Sequence, residues 1–118
     1  MTNENRKYDL EERTGKFGED VIDLLKTIKV TEINKPLISQ VVRSSTSIGA
    51  NYGEADSAVS KKDFKNKIGF CRKEAKETKH WLRMISRSNP EKVDDLRKLW
   101  KEAHELVLIF SKIFNSSK

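Results

Sequence analysis

RSSTSIGANYGEADSAVSKKDFKNKIGFCRKEAKETKHWLRMI, residues Arg43 to Ile85, is the stretch on which the fold turns. In its second half Phe64, Ile68, Cys71, Ala75, Thr78, Leu82 and Ile85 recur at alternating steps of four and three. That is the seam of a helix packed lengthwise on other helices, and no strand keeps such spacing. The helix has a start signal: Ser60 is placed to cap the first turn, Asp63 occupies its third position, and Val59 and Phe64 are spaced for a hydrophobic staple. In the first half a second seam runs through Leu37, Val41, Ser44, Ile48, Asn51 and Ala55, and its small residues allow two backbones to approach closely. Beside it Gln40, Arg43, Ser47 and Glu54 form a polar row that reads as half-buried.

If the two helices fold back about Ala58 and Val59, their equal rise makes facing residue numbers sum to roughly 118. Arg43 then faces Glu74. A guanidinium drawn partly out of water needs a carboxylate of matching fork geometry, and such a pair fixes register more than it stabilises. Arg43, Ser47, Asn51, Glu54 and Glu74 are therefore expected to form a structural polar network, with Asn51 and Glu54 engaging the start of the next helix or its neighbours.

The stretch from Ser44 to Ile85 resembles a bacterial family of four-helix bundles first noticed as proteins encoded by intervening sequences in 23S rRNA genes. The accessory protein of diversity-generating retroelements is similar to the same family. The most specific parts of the resemblance are the helix carrying Ser47, Asn51 and Glu54 and the run KEAKETKHWLR from Lys73 to Arg83. The likeness extends over about residues 8 to 114. One departure is Asn51-Tyr52-Gly53-Glu54-Ala55, where many relatives read Asn-Ile-Ala-Glu-Gly. The resemblance implies an antiparallel bundle, and through the retroelement relatives a closed homopentameric ring.

Outward from the hairpin, the remaining sequence supplies two more helices. Leu10, Thr14, Phe17, Val21, Leu24 and Ile28 mark the first, over about 9–29, widened by Leu25 and interrupted by Gly15 and Gly18. Close packing is expected to offset the two glycines, which cost about 1 kcal/mol each against alanine in a helix. Asn34 reads as the cap of the second helix, 35–57, with Ile33 stapling onto Ile38 and Pro36 harmless in the first turn. The third helix spans 61–87. Ser88-Asn89-Pro90 ends it and starts a fourth over 90–114, with Asn89 as cap. Val93, Leu96, Trp100, Ala103, Val107, Phe110 and Phe114 form its seam, and only residues 115–118 look frayed. Short connections make neighbouring helices antiparallel. The expected fold is a single all-α domain, 1–118, built as an up-down-up-down four-helix bundle.

Composition agrees. Apolar and charged residues each make up 36%, with five Gly and two Pro, as long amphipathic helices require and strand-rich domains do not. At 118 residues the chain buries a core without disulfides, and the lone Cys71 lies on a seam, which points to a reducing compartment. The first residues, MTNENRKYDLEER, hold no apolar stretch, and the longest apolar run, Leu106 to Phe110, is too short to span a bilayer, so a cytoplasmic location and no membrane partner are expected. Asn115-Ser116-Ser117 matches a glycosylation acceptor that would then be idle.

Chemistry is poorly represented. Glu77 and His80 lie one turn apart, as in di-iron carboxylate bundles, but such sites take two pairs of this kind, and His104 has no glutamate three residues before it. Cys71 is on the seam, the serines from Ser44 to Ser47 have no histidine on their helix, and no glycine-rich phosphate loop occurs. No enzyme activity, metal site or cofactor is expected.

Charge is the informative feature. From Ser60 to Arg87 ten Lys or Arg stand against three Asp or Glu, so this segment carries the whole excess of a chain whose net charge is +6. Lys62, Lys65, Arg72, Lys76, Lys79, Arg83 and Arg87 fall within about a third of the helical circumference, broken only by Gly69 and with no acid among them. A solvated face ordinarily mixes signs, because like charges one turn apart repel. The one-signed row points to an anionic partner, a nucleic-acid phosphate backbone being the commonest. No aromatic residue interleaves the row, so backbone contact rather than base stacking or sequence readout is expected. A docking surface for an acidic protein is the alternative.

An apolar surplus suggests self-association. Phe70, Trp81 and Met84 form a second row on the third helix, and Leu99, Leu106, Ile109 and Ile113 widen the apolar arc of the fourth to about half its circumference, more than the three-sevenths a simple bundle needs. Aromatic residues and Met favour subunit interfaces. A ring would set several basic rows side by side and multiply their field.

Overall fold

The computed structural model describes the backbone of residues 3–117 and the side chains of 10–117. Four helices follow one another: α1 Asn3–Leu25, α2 Asn34–Asp56, α3 Lys61–Ser88 and α4 Val93–Ser116, the last entered through a 3-10 turn at Pro90–Lys92. The antiparallel four-helix bundle expected from the periodicity is what forms, drawn out to 44 × 28 × 19 Å. Its core is one cluster running from Phe17 and Val21 of α1 through Val41 and Ile48 of α2 and Ile68, Cys71, Ala75, Leu82 and Ile85 of α3 to Leu96, Ala103, Leu106 and Phe110 of α4. Tyr52 joins it, its ring 6.1 Å from that of Phe110 across the bundle.

The first helix begins at Asn3, earlier than Asp9, and ends at Leu25 rather than Lys29. Thr27 accounts for the early end: its hydroxyl and its backbone N–H both bond the Leu24 carbonyl, at 2.6 and 3.0 Å, tightening the last turn. Ile28 is buried beyond the helix proper. Close packing holds at Gly18, where an added Cβ would lie 3.6 Å from Thr46 of α2, but not at Gly15, which faces open space. At the other terminus α4 continues through the residues expected to fray, helped by Ser116 and Ser117 hydroxyls bonding back to the Ile113 carbonyl. Lys118 lies outside the described residues.

Two of the three corners differ from expectation in how they are capped. Ser60 does cap α3, accepting from the Asp63 N–H at 3.0 Å. Val59, however, is 96% exposed and staples nothing. Before α2 the cap is Thr31, not Asn34: the Asn34 N–H donates to Thr31 Oγ1 at 3.1 Å, and the Thr31 N–H donates to Asn34 Oδ1 at 2.7 Å. This reciprocal pair is a capping box with asparagine in the place of the usual glutamate. Ile33 is exposed and makes no staple. Asn34 itself is buried, and its amide Nδ2 donates to the Lys29 carbonyl and, 3.2 Å away, to Asn89 Oδ1 in the α3–α4 corner. Asn89 likewise caps with no side-chain bond of its own; its side chain holds Asn34, Ser88 and Glu91.

Asn34 thus ties together the two corners at one end of the bundle. Asn34→Ala is expected to cost about 2 kcal/mol, because it strands the buried Asn89 amide and removes the bonds to Thr31 and Lys29 as well. Denaturant titration reads that loss, and a change below about half a kcal/mol would show that water replaces the amide.

Candidate nucleic-acid interface

The hairpin of α2 and α3 sets the register of the basic helix. Arg43 Nη1 lies 3.0 Å from Glu74 Oε2, as the fold-back geometry requires, and Arg43 Nη2 pairs with Glu77, which sequence reasoning had not assigned to it. Gln40 Oε1 accepts from Arg43 Nε at 3.0 Å. Below this lie Thr78 and Ser44, their hydroxyls 2.9 Å apart inside the seam, and Cys71, whose thiol points at the Ile48 carbonyl. Burial pushes the Cys71 thiol up to about 12, so it is a core residue without nucleophilic character.

The expected polar network is shorter than the sequence suggests. Asn51 does not reach α3; its Nδ2 donates to the carbonyl and hydroxyl of Ser47, 2.9 and 3.0 Å away on its own helix. Glu54 is exposed and pairs at 3.7 Å with Lys67 of α3. The Arg43 side chain is 49% exposed and that of Glu74 only 10%, so the pair is sealed on one side only. Glu74→Ala is accordingly expected to cost about 1–2 kcal/mol, below the range for a fully buried pair, with Glu77 retaining part of the guanidinium's charge. Thermal unfolding with and without added salt measures it.

In the same geometry Glu77 and His80 are each engaged by other side chains. Glu77 Oε2 accepts from Trp81 Nε1 at 3.3 Å as well as pairing with Arg43, and His80 packs edge-on against Trp81. No group of three or more His, Cys, Asp or Glu side chains that could hold a metal ion comes together among the described residues.

Because Glu74 and Glu77 turn toward α2, neither opposes the basic row. Lys62, Lys76, Arg83 and Arg87 of that row are exposed. Lys65, Arg72 and Lys79 are half-buried, and here the structure corrects the expectation of a row without aromatic neighbours. Lys65 Nζ and the Arg72 guanidinium lie 4.7 and 4.2 Å from the centre of the Phe114 ring. Lys79 Nζ lies 4.6 Å from the centre of Trp100 and 2.9 Å from His104 Nδ1. Trp100 and His104 are parallel, one turn apart on α4. Gly69, the gap in the row, is where Phe114 fits: an added Cβ would come within 3.2 Å of its ring. The row is therefore the wall of a groove whose other wall is α4 and carries rings.

The residues assigned to an interface separate into two groups. Leu106 is fully buried and belongs to the core, and Trp81, Leu99 and Ile113 are half-buried against it. The arc of α4 is wide because α4 touches α1 as well as α3: Leu99 shares a cleft with Arg13, Phe17 and Glu102, and Arg13 holds Glu102 through two bonds of 2.6 and 2.8 Å. Met84 and Ile109 are half-buried, while Phe70 stays 47% exposed, with Lys67 5.9 Å from its ring centre. Leu108, not singled out from the sequence, is also exposed.

Fold and groove together define a small antiparallel helical-bundle protein with one cationic helix. The chain belongs to the 23S rRNA-intervening sequence protein family, whose model matches residues 6–112. It is similar to a solved protein of unknown function from the S23 ribosomal protein family of Bacteroides thetaiotaomicron, with 26% identity and a TM-score of 0.80 over 93% of this chain and 98% of that one. No curated protein matches it. Among the described residues no helix is long and apolar enough to cross a membrane.

Proposed function

We propose that this chain is a non-enzymatic, self-associating bundle that binds RNA or DNA phosphate backbones through the basic row of α3, as an accessory to an rRNA- or reverse-transcriptase-associated process. The supporting observation is the exposed row Lys62, Lys76, Arg83 and Arg87, from which the two mid-helix carboxylates, Glu74 and Glu77, are drawn away by Arg43. Exposed Phe70 supports association between copies.

Point charges on a helix face carry no base-reading geometry, so affinity varies little with sequence and falls linearly with log salt by about 0.7–0.9 per phosphate neutralised. With four to six phosphates reached per subunit, a slope of about −3 to −5 is expected for one engaged subunit, and about twice that where two subunits of an assembly engage the strand. Filter binding of random-sequence RNA and DNA at several salt concentrations, run beside sedimentation of the protein alone, measures both parts. Absence of salt-sensitive retention at low ionic strength would leave the row as a docking surface for an acidic protein, and a monomer at high concentration would remove self-association.

A further inference from the structure

At the open end of the α3–α4 groove, beyond Lys79, lies a cleft of about 510 Å³ walled by Arg83 and Ser86 of α3 and Val93, Arg97, Trp100 and Lys101 of α4. Three cations, one indole and no carboxylate form its wall; Asp94, 3.9 Å from Arg97, is turned to solvent. The cleft opens broadly to solvent, as a site on a long strand must. We propose that this cleft is a nucleobase-stacking site for single-stranded nucleic acid, with Trp100 as the platform and Arg83, Arg97 and Lys101 holding the flanking phosphates. The inference rests on the backbone-binding reading and adds to it a preference for strands with unpaired bases.

The platform is a composite. Trp100 and His104 are stacked, their ring centres 5.4 Å apart and their planes within 10°, so the imidazole backs the indole that receives the base. Lys79 Nζ sits 4.6 Å from the Trp100 centre. A cation over an exposed ring is worth a few-fold in equilibrium, whereas a base stacked on an aromatic side chain is worth about fivefold to a hundredfold. A base that displaces the ammonium also replaces its 2.9 Å bond to His104 Nδ1, and the displaced Lys79 joins Arg83 along the row, where a phosphate is its natural partner. Phe114, at the far end of the groove, is not equivalent, since Lys65 and Arg72 both lie over its ring and Gly69 lies beneath it.

The test compares three probes against the full-length protein at one salt concentration: a thymidine dodecamer, a dodecamer of abasic sugar phosphates, and free thymidine monophosphate. The expected result is that the base-bearing strand binds at least about fivefold tighter than the abasic one. Trp100→Leu is expected to bring it down to the abasic level without changing abasic binding, and Trp100→Phe to restore most of the difference. Equal affinity of the two strands overturns the stacking site while leaving backbone binding intact. Failure of both strands to bind overturns both readings. Monophosphate binding as tight as that of the dodecamer also overturns the proposal, by making the ligand a free nucleotide. The two-strand comparison on the unmodified protein stands even if a Trp100 variant does not fold.

Discussion

Leu106→Ala is expected to lose about 3–4 kcal/mol of stability, the middle of the range for a buried leucine. Leu106 is 0% exposed, inside a cluster that includes Phe17, Ala103 and Phe110. The cavity left by its truncation lies between helices clamped elsewhere, among other places by the Arg13–Glu102 fork, so the walls close on it only in part. Urea unfolding is the measurement, with the midpoint falling and the slope unchanged, because the surface exposed on unfolding hardly alters. The variant also separates two roles. A core leucine lowers stability and leaves the association state of the folded protein alone. A loss below about 1 kcal/mol accompanied by dissociation of copies would return Leu106 to the interface, where its place in a wide apolar arc suggests it belongs.

That reassignment shows what a single sequence conveys about a bundle. A helix seam is a local property, so Phe64 to Ile85, Leu96 to Phe110 and the Ser60 cap are all legible. Register across one tight corner is nearly local as well, and the constant sum of facing numbers sets Arg43 on Glu74. Width of an apolar arc is not local, because it depends on which faces distant helices cover, and α1 reaches Leu99 of α4. Thr31 and Asn34 illustrate a second limit. Both can cap, and which does so is decided by Asn89, 55 residues away, whose side chain draws the Asn34 amide inward. Tyr52 belongs with these, since its burial depends on Phe110 lying opposite.

The rings along the basic row were within reach. Antiparallel pairing about the Asn89 corner makes facing numbers in α3 and α4 sum to roughly 180, which sets Trp100 near Lys79 and Phe114 near Gly69. A glycine interrupting a row of lysines and arginines is itself a signal that something bulky lies over it, and Phe114 does. Lys65, Arg72 and Lys79 are therefore poor choices for testing the row, because replacing them removes their packing on the rings as well as charge.

Replacing the four exposed cations, Lys62, Lys76, Arg83 and Arg87, by Glu together is expected to weaken nucleic-acid binding at low salt by more than about a hundredfold. The change is eight units of charge on one face. Every phosphate that the row no longer neutralises flattens the salt dependence by about 0.7–0.9, so a slope of about −3 to −5 shrinks to about −1. Stability has little reason to follow. All four side chains are exposed, and none of them lies over Phe114 or Trp100. Two local effects oppose each other: a glutamate at 76 gains favourable neighbours one turn away in Arg72, Lys73 and Lys79, whereas one at 87 sits unfavourably at the negative end of the α3 dipole. Each is worth a few tenths of a kcal/mol, so the melting temperature is expected to stay within a few degrees. Loss of binding with the fold intact assigns the row to the phosphate backbone. A variant that retains the original affinity and slope would show that the anion is held elsewhere and that this face of α3 is only solvated.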